Sequence, residues 1–293
     1  VHLDFHSKYS LFDCLCKFPV MVKRAKELNM PAVAITDHGN MYGVIYLYKE
    51  AVAQGIKPIL GCEVYMTRGS RFEKKTKERL CHLILLAKDN KGYHNLIKIV
   101  SKGFVDGENN YHKPRVDYDL LEQYHEGLIA MSACIEGHIQ QDILNHNEEG
   151  AKRTLDRLVS IFGKDDFYLE VQNHGIPEEK VVRTVFKRWS QEYGLKLVAT
   201  NDYHYIDPSD AAAQEVKLCI STGSTLDDPS HFRFYNNEFY MKSGDEMADL
   251  FADMPEALDT TLEIADKCNV EISFSERHLP QFPVPKGETD SSY

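Results

Sequence analysis

Short apolar runs with β-strand character recur along the first two thirds of the chain, and most are followed by a segment with helical spacing. Such runs, bounded by polar or glycine positions, are typical of buried strands. Seven strands are predicted, at residues 1–5, 32–36, 58–66, 82–87, 127–132, 167–171 and 195–200. Apolar positions three and four apart predict helices at 20–28, 43–53, 93–100, 151–162 and 178–193.

This alternation favours a parallel sheet with helices outside, and periodicity does not distinguish a closed barrel from an open, doubly wound sheet. Polar residues of the kind that bind metals stand at or just after several predicted strand ends. Convergence of strand ends on one rim is what the catalytic face of a barrel provides. We therefore expect an α/β fold, a TIM-like β/α barrel of seven strands, over residues 1–210.

The pattern changes after residue 210. Helical spacing at 211–221, 245–252 and 256–268 surrounds a passage rich in Tyr and Phe at 232–240, which predicts a small helical appendage over 211–275. Residues 276–293 carry three prolines and no periodicity. We expect them to form a linker toward a further domain.

Composition argues against membrane-spanning proteins, disulfide-rich proteins and free-standing nucleic-acid binders. No apolar run approaches the roughly 20 residues of a membrane-spanning helix, and no basic-then-apolar leader is present, so we expect a cytoplasmic protein without membrane contact. Seven scattered cysteines do not form a disulfide framework. The net charge of −11 argues against a free-standing nucleic-acid binder. Bound cations and a neighbouring basic domain would have to attract a nucleic-acid substrate.

The first candidate ligands lie near the start of the chain. Asp4 and His6 are two residues apart on a predicted strand, so their side chains point to the same face, and Asp13 follows in the next loop. Two ligands on one face can share a metal ion. A solvent-facing pair is the ordinary alternative for this spacing.

Two further candidates interrupt apolar strands. The run A-I-T-D-H-G ends a predicted strand in Asp37 and His38, and a capping turn would explain Asp37 but not His38. Glu63, in G-C-E-V-Y, is a carboxylate among apolar residues, where it needs a partner or a metal ion. A carboxylate can also bridge two cations, which an imidazole cannot do.

The remaining candidates stand at later strand ends. His82 and Cys134 are each also readily explained as residues at the edge of the core, but Asp202 and His204 repeat the D-x-H spacing of the first pair. Together the candidates supply about nine ligands, too many for one ion and enough for two or three. Such centres activate water and hydrolyse phosphoesters; deamidation or deamination is the competing metal chemistry.

The motifs H-S-K-Y-S-L-F-D, A-I-T-D-H-G-N-M-Y-G, G-C-E-V-Y and V-A-T-N-D-Y-H-Y resemble those of the PHP (polymerase and histidinol phosphatase) family. The resemblance covers the chain to about residue 204. It implies a distorted seven-stranded β/α barrel with two to three divalent ions, namely zinc, manganese, iron or magnesium. On the family pattern, the ligands would be Asp4, His6, Asp13, His38, Glu63, His82, Cys134, Asp202 and His204.

Longer stretches, among them H-L-I-L-L-A-K-D-N-K-G-Y-H-N-L-I-K-I-V-S-K-G, L-E-V-Q-N-H-G and L-P-Q-F-P-V-P, resemble the N-terminal region of the alpha subunits of bacterial DNA polymerase III. This resemblance implies a metal-dependent 3′–5′ exonuclease that proofreads the 3′ end of a primer strand. The implied partners are the remainder of the alpha subunit, a separate proofreading subunit and a sliding clamp. In catalysis Glu63 would bridge metals, Asp37 would position water or orient His38, and Asp202 would bind metal or accept a proton.

Two positions depart from the family pattern: Asp4 replaces its first histidine, and Cys14 replaces a glycine. Aspartate still binds hard cations, and it shifts preference toward manganese or magnesium. His174 and Arg115 are candidate phosphate contacts, or equally surface residues. The alternatives are a catalytically decayed domain that supports the polymerase and docks a proofreading subunit, and a stand-alone phosphatase for a small phosphoester such as histidinol phosphate.

Overall fold

The structure is a computed structural model that describes residues 1–11, 13–73, 78–106, 113–275, 283–289 and 291–292. Half of the predicted linker at 276–293 lies outside these residues, so that assignment stays a prediction. None of the described helices is long and apolar enough to cross a membrane.

One curled sheet forms the centre of the described chain, with its strands in sequence order. Its six strands are β1 Ala32–Ile35, β2 Lys57–Met66, β3 Cys81–Ala87, β4 Leu128–Met131, β5 Phe167–Val171 and β6 Leu197–Ala199. β1, β4, β5 and β6 are buried along their whole length, which explains why they read as continuous apolar runs.

The prediction of an all-parallel sheet is wrong at one strand. β3 runs antiparallel to both β2 and β4, whereas the other neighbouring pairs are parallel. Strand direction leaves no trace in hydrophobic periodicity, because an apolar strand reads the same either way. Because β3 is reversed, its first residues lie at the same end of the sheet as the last residues of β2 and β4.

The predicted first strand, 1–5, is not a regular strand, so the sheet has six strands rather than seven within the part of the chain that the structure describes. Phe5 makes a single parallel bridge with Tyr203, and its carbonyl accepts a hydrogen bond of 2.9 Å from Thr36 N. Thr36 follows β1 and Tyr203 follows β6, so Phe5 contacts both edges of the curled sheet. This segment spans the gap that a seventh strand would fill.

Helices surround the sheet, and eight of them match predicted segments. Two short helices, Tyr118–Tyr124 (α4) and His138–Leu144 (α5), were not predicted. The ten helices of the described chain are α1 Phe18–Glu27, α2 Val44–Gln54, α3 Asn90–Val105, α4 Tyr118–Tyr124, α5 His138–Leu144, α6 Glu148–Phe162, α7 Pro177–Tyr193, α8 Ala211–Thr222, α9 Gly244–Leu250 and α10 Glu256–Lys267.

The C-terminal helices share the core of the sheet. Ile264 and Ala265 of α10 are buried in one apolar cluster with Leu3, Ala34 and Ile84, which lie on or beside the strands. The division between a barrel at 1–210 and an appendage at 211–275 stays a prediction. The packing of α10 nevertheless makes this helix part of the sheet's own core.

Candidate metal centre

The strand ends bring the predicted ligands to one place. His38 follows β1 and is bridged to Glu63 of β2, while His82 is the second residue of the reversed strand β3. Gly39, at φ +63°, lets the chain turn after His38, and its N–H donates to the Glu63 carbonyl at 2.8 Å. Cys134 follows β4.

Glu63 lies at the centre of one half of the cluster. Its Oε1 is 2.9 Å from His82 Nδ1, and its Oε2 contacts His38 Nδ1 and lies 3.5 Å from His6 Nε2. Cys134 Sγ is 3.7 Å from His82 Nδ1. One buried carboxylate therefore touches three imidazoles.

The other half is built around His6. Its Nε2 is 3.1 Å from Asp202 Oδ1 and 3.6 Å from Asp4 Oδ1. Asp202 Oδ1 is also 3.6 Å from His204 Nδ1. Asp13 Oδ2 completes the ring, because it is 3.5 Å from His204 Nε2 and 2.7 Å from His38 Nε2. The structure thus brings all nine predicted ligand residues together.

The atoms of this cluster fit divalent metal ions. Three sets of side chains each present ligand atoms within 4.8 Å of one another: His6, His38 and His204; His38, Glu63 and His82; Asp4, His6 and Asp202. Five buried atoms make no hydrogen bond of acceptable geometry within the described residues: both ring nitrogens of His6, His38 Nδ1, Glu63 Oε2 and Asp202 Oδ1. Four of them face each other as ion pairs, His38 Nδ1 with Glu63 Oε2 and His6 Nε2 with Asp202 Oδ1. Buried polar atoms normally have partners, and a metal ion would supply one.

Comparison with known proteins agrees with this geometry. The model of the PHP domain family matches residues 2–174. The chain belongs to the PHP domain family. Asp202 and His204 lie beyond the matched residues, and the fold brings them to the same cluster.

The chain is also similar to curated polymerase subunits. It is 45% identical to DNA polymerase III subunit alpha of Borreliella burgdorferi over 97% of this chain and 25% of that protein. The same subunit of Thermus aquaticus is 43% identical over 100% of this chain and 25% of that protein. That of Treponema pallidum is 41% identical over 97% and 24%. The chain spans about a quarter of the length of these relatives.

In the PHP domain's cluster, the carboxylates and the imidazoles shift one another's pKa values. Burial opposes charge on Asp202, but His204 and His6 outweigh it and lower the pKa of Asp202 to about 2. Burial also opposes protonation of His204, yet Asp202 and Asp13 raise the pKa of His204 to about 9. Burial, with Asp202 nearby, holds the pKa of Asp4 well above its usual range. Protonation of Asp4 and His204 therefore offsets part of the negative charge that the carboxylates bring to the cluster.

Asp37 supports the PHP domain's ligands and has no contact with them through its carboxylate. Its Oδ1 accepts hydrogen bonds from Ser7 N at 2.6 Å and Ser10 Oγ at 2.7 Å, and its Oδ2 accepts one from Ser7 Oγ at 2.8 Å. The Ser10 carbonyl accepts a hydrogen bond from Asp13 N at 3.2 Å, and Ser10 Oγ accepts one from His38 N at 3.1 Å. The Asp37 carboxylate therefore holds Ser10, and Ser10 in turn positions the ligands Asp13 and His38.

A polar layer below the ligands was not predicted from the sequence. Gln172 Nε2 donates to Asp4 Oδ2 at 3.3 Å and to Glu170 Oε1 at 3.2 Å, and Thr36 Oγ1 donates to Asp4 Oδ1 at 3.0 Å. Burial raises the pKa of Glu170 to about 8. A glutamate inside the apolar strand F-Y-L-E-V is the same signal that identified Glu63.

The candidate phosphate contacts are buried. His174 places Nδ1 2.6 Å from Glu179 Oε1 and Nε2 2.7 Å from the Asn201 carbonyl, so both ring nitrogens are engaged. Arg115 Nη1 donates to the Glu73 carbonyl at 3.1 Å. The interpretation of these two side chains as surface residues is therefore wrong, and their burial does not favour contact with a phosphate.

Proposed function

We propose that this chain is the PHP region of a DNA polymerase III alpha subunit and that it hydrolyses the terminal phosphodiester of DNA in the 3′–5′ direction, as a proofreading exonuclease. The observation that carries the proposal is the single cluster of nine nitrogen, oxygen and sulfur ligands, five of whose buried atoms make no hydrogen bond within the described residues. Similarity to polymerase alpha subunits over nearly the whole chain supports it.

The three overlapping ligand sets favour two to three divalent ions. His38, Glu63 and His82, with Cys134 beside them, would hold one ion, and Asp4, His6 and Asp202 another. Imidazole and thiolate ligands favour zinc, manganese or iron over magnesium. Bound divalent ions would polarise the phosphodiester and lower the pKa of the attacking water.

The chain's own side chains have separate roles in this proposal. Glu63 is shared between the two halves of the cluster and fixes their spacing. Asp202, ionised at neutral pH and partly exposed, binds metal through its carboxylate. Asp37 holds the turn at residues 7–10 and thereby positions Asp13 and His38.

The net charge of −11 requires that cations at the centre and basic regions outside this chain attract DNA. The rest of the alpha subunit, a separate proofreading subunit and a sliding clamp are the proposed partners, in the cytoplasm. The same acidic surface favours a second candidate, a non-catalytic domain that supports the polymerase and docks a proofreading subunit.

Hydrolysis of a 3′-labelled single strand distinguishes the two candidates. We expect the chain to release nucleotides in added manganese or zinc and His38→Ala to abolish the release. His138→Gln is the matched control, because His138 is also buried but bonds Tyr118 outside the cluster, at 2.8 Å from its hydroxyl. Metal-replete protein that releases nothing, or His38→Ala protein that is fully active, would contradict the exonuclease proposal.

A further inference from the structure

A cleft beside the metal centre has no role in the proposal above. It lies between α8 and the segment 233–237, and a volume of about 210 Å³ is open to water-sized molecules. Tyr205, Gln214, Phe234, Tyr235 and Asn237 contribute to its walls. The cleft is thus large enough for one small planar group.

Two buried polar atoms belong to residues that line this cleft and lack a protein partner. Tyr205 and Gln214 are each 1% exposed, and neither the Tyr205 hydroxyl nor Gln214 Oε1 has a hydrogen-bond partner in the described ranges. The contact of Gln214 Nε2 with the Asp13 carbonyl fixes which end of the amide is the acceptor. Both atoms lie just behind the surface of the cleft, so a ligand pairs them when a neighbouring side chain shifts, and pairing removes the unfavourable state of a buried polar group without a partner.

Aromatic side chains on the same wall are exposed to solvent. Tyr235 is 65% exposed, and Phe234 is partly exposed next to it. Arg233, also exposed, adds a positive charge at the rim. Glu215 is the acidic group of the lining, and its Oε1 is 2.7 Å from His231 Nε2. A flat, uncharged heteroaromatic ring attached to an anionic group matches this surface.

The cleft is joined to the metal centre by direct contacts. The Phe234 ring lies edge-on to the ring of the ligand His204, with 4.8 Å between centroids. Gln214 bonds the backbone of the ligand Asp13, whose side chain is 29% exposed. A ring bound in the cleft would therefore lie next to the more open side of the cluster.

We propose that this cleft binds the nucleobase of the substrate's terminal nucleotide. The base stacks on Tyr235 and Phe234, its edge donates to Gln214 Oε1 and pairs with the Tyr205 hydroxyl, and Arg233 faces a backbone phosphate. The proposal rests on the proposed function for the identity of the substrate. Recognition of the base is nevertheless measured by binding, without hydrolysis.

The test compares two fluorescent single strands, one ending in thymidine and one in an abasic residue, each with a phosphorothioate at the last linkage. Fluorescence anisotropy of the intact chain in manganese gives both dissociation constants. We expect the thymidine-ended strand to bind about tenfold more tightly, and Tyr235→Ala to abolish that difference. Phe104→Ala is the matched control, since Phe104 is 46% exposed but does not line the cleft.

Tyr205→Phe gives a second, more conservative readout. It should weaken binding of the thymidine-ended strand about fivefold while leaving the stability of the free chain unchanged or higher, because the removed hydroxyl is unpaired. Equal binding of the two strands by the wild-type chain would overturn the cleft proposal, even if the chain hydrolyses DNA. Discrimination between the strands without any hydrolysis would keep the cleft and reject the exonuclease.

Discussion

Removing the carboxylate of Asp37 should weaken metal binding although Asp37 has no place among the ligands. The carboxylate accepts three buried hydrogen bonds from Ser7 and Ser10. In Asp37→Asn the amide oxygen can still accept at the Oδ1 position, and the Ser7 hydroxyl can turn to accept from the amide nitrogen. Only the charge is lost, and we expect unfolding to become easier by about 1–2 kcal/mol.

Asp37→Ala is the harsher change, because the buried Ser7 N–H loses its partner. We expect about 1–3 kcal/mol of further destabilisation. Because Asp13 N bonds Ser10 and His38 N bonds the Ser10 hydroxyl, two ligands lose their support. Manganese affinity should fall about 10-fold in the asparagine variant and toward 100-fold in the alanine variant.

Calorimetric titration with manganese and urea unfolding measure the two effects separately. Asp117→Asn is the matched control, since Asp117 is a buried acid that caps α4 by accepting from Leu120 N at 3.0 Å, outside the cluster. It should reduce stability and leave metal affinity unchanged. Wild-type manganese affinity in Asp37→Ala protein would refute the positioning role.

Three further outcomes follow from the site and its surroundings. Burial lowers the pKa of His138 to about 3, so the unfolded chain, with a histidine pKa of about 6.5, takes up that proton first as the pH falls. The wild-type chain therefore loses stability from about pH 6.5 downward. In urea unfolding, His138→Gln protein should lose about 2 kcal/mol less than the wild-type chain between about pH 7.5 and pH 5. A constant difference in stability between the two proteins would contradict this. Cys134→Ser should weaken zinc more than manganese, because thiolate is the softer ligand, and equal weakening in a competition titration would argue against Cys134 as a ligand. Asp4→His should raise the ratio of zinc to manganese affinity, and an unchanged ratio would show that Asp4 does not set the preference.

Two of the ligands could be predicted most directly because they break an apolar pattern. Glu63 stands inside a buried strand and His38 ends one, and a polar residue there needs a partner. The same reasoning should have found Glu170 in β5. Its partner Thr200, at 2.5 Å, and Asp4, which Gln172 bonds, come from separated parts of the sequence, so the polar layer appears only in the fold.

The errors in the fold have a common physical origin. Periodicity reports which face of an element is buried, and strand direction and pairing depend on tertiary contacts. Phe5 is buried because it lies between two sheet edges, although it forms only one bridge there. Reversal of β3 was equally invisible, yet it explains why His82 reaches the cluster from the beginning of its strand rather than from the end.

Metal content of the purified chain tests the central claim most directly, with Glu63→Gln and Glu170→Gln compared side by side. Both glutamates are buried, but Glu63 contacts three imidazoles of the cluster, whereas Glu170 bonds the layer below. We predict two or more ions per wild-type chain, loss of at least one in Glu63→Gln, and retention in Glu170→Gln. A wild-type chain that binds no divalent ion, or Glu63→Gln protein with full metal content, would contradict the account.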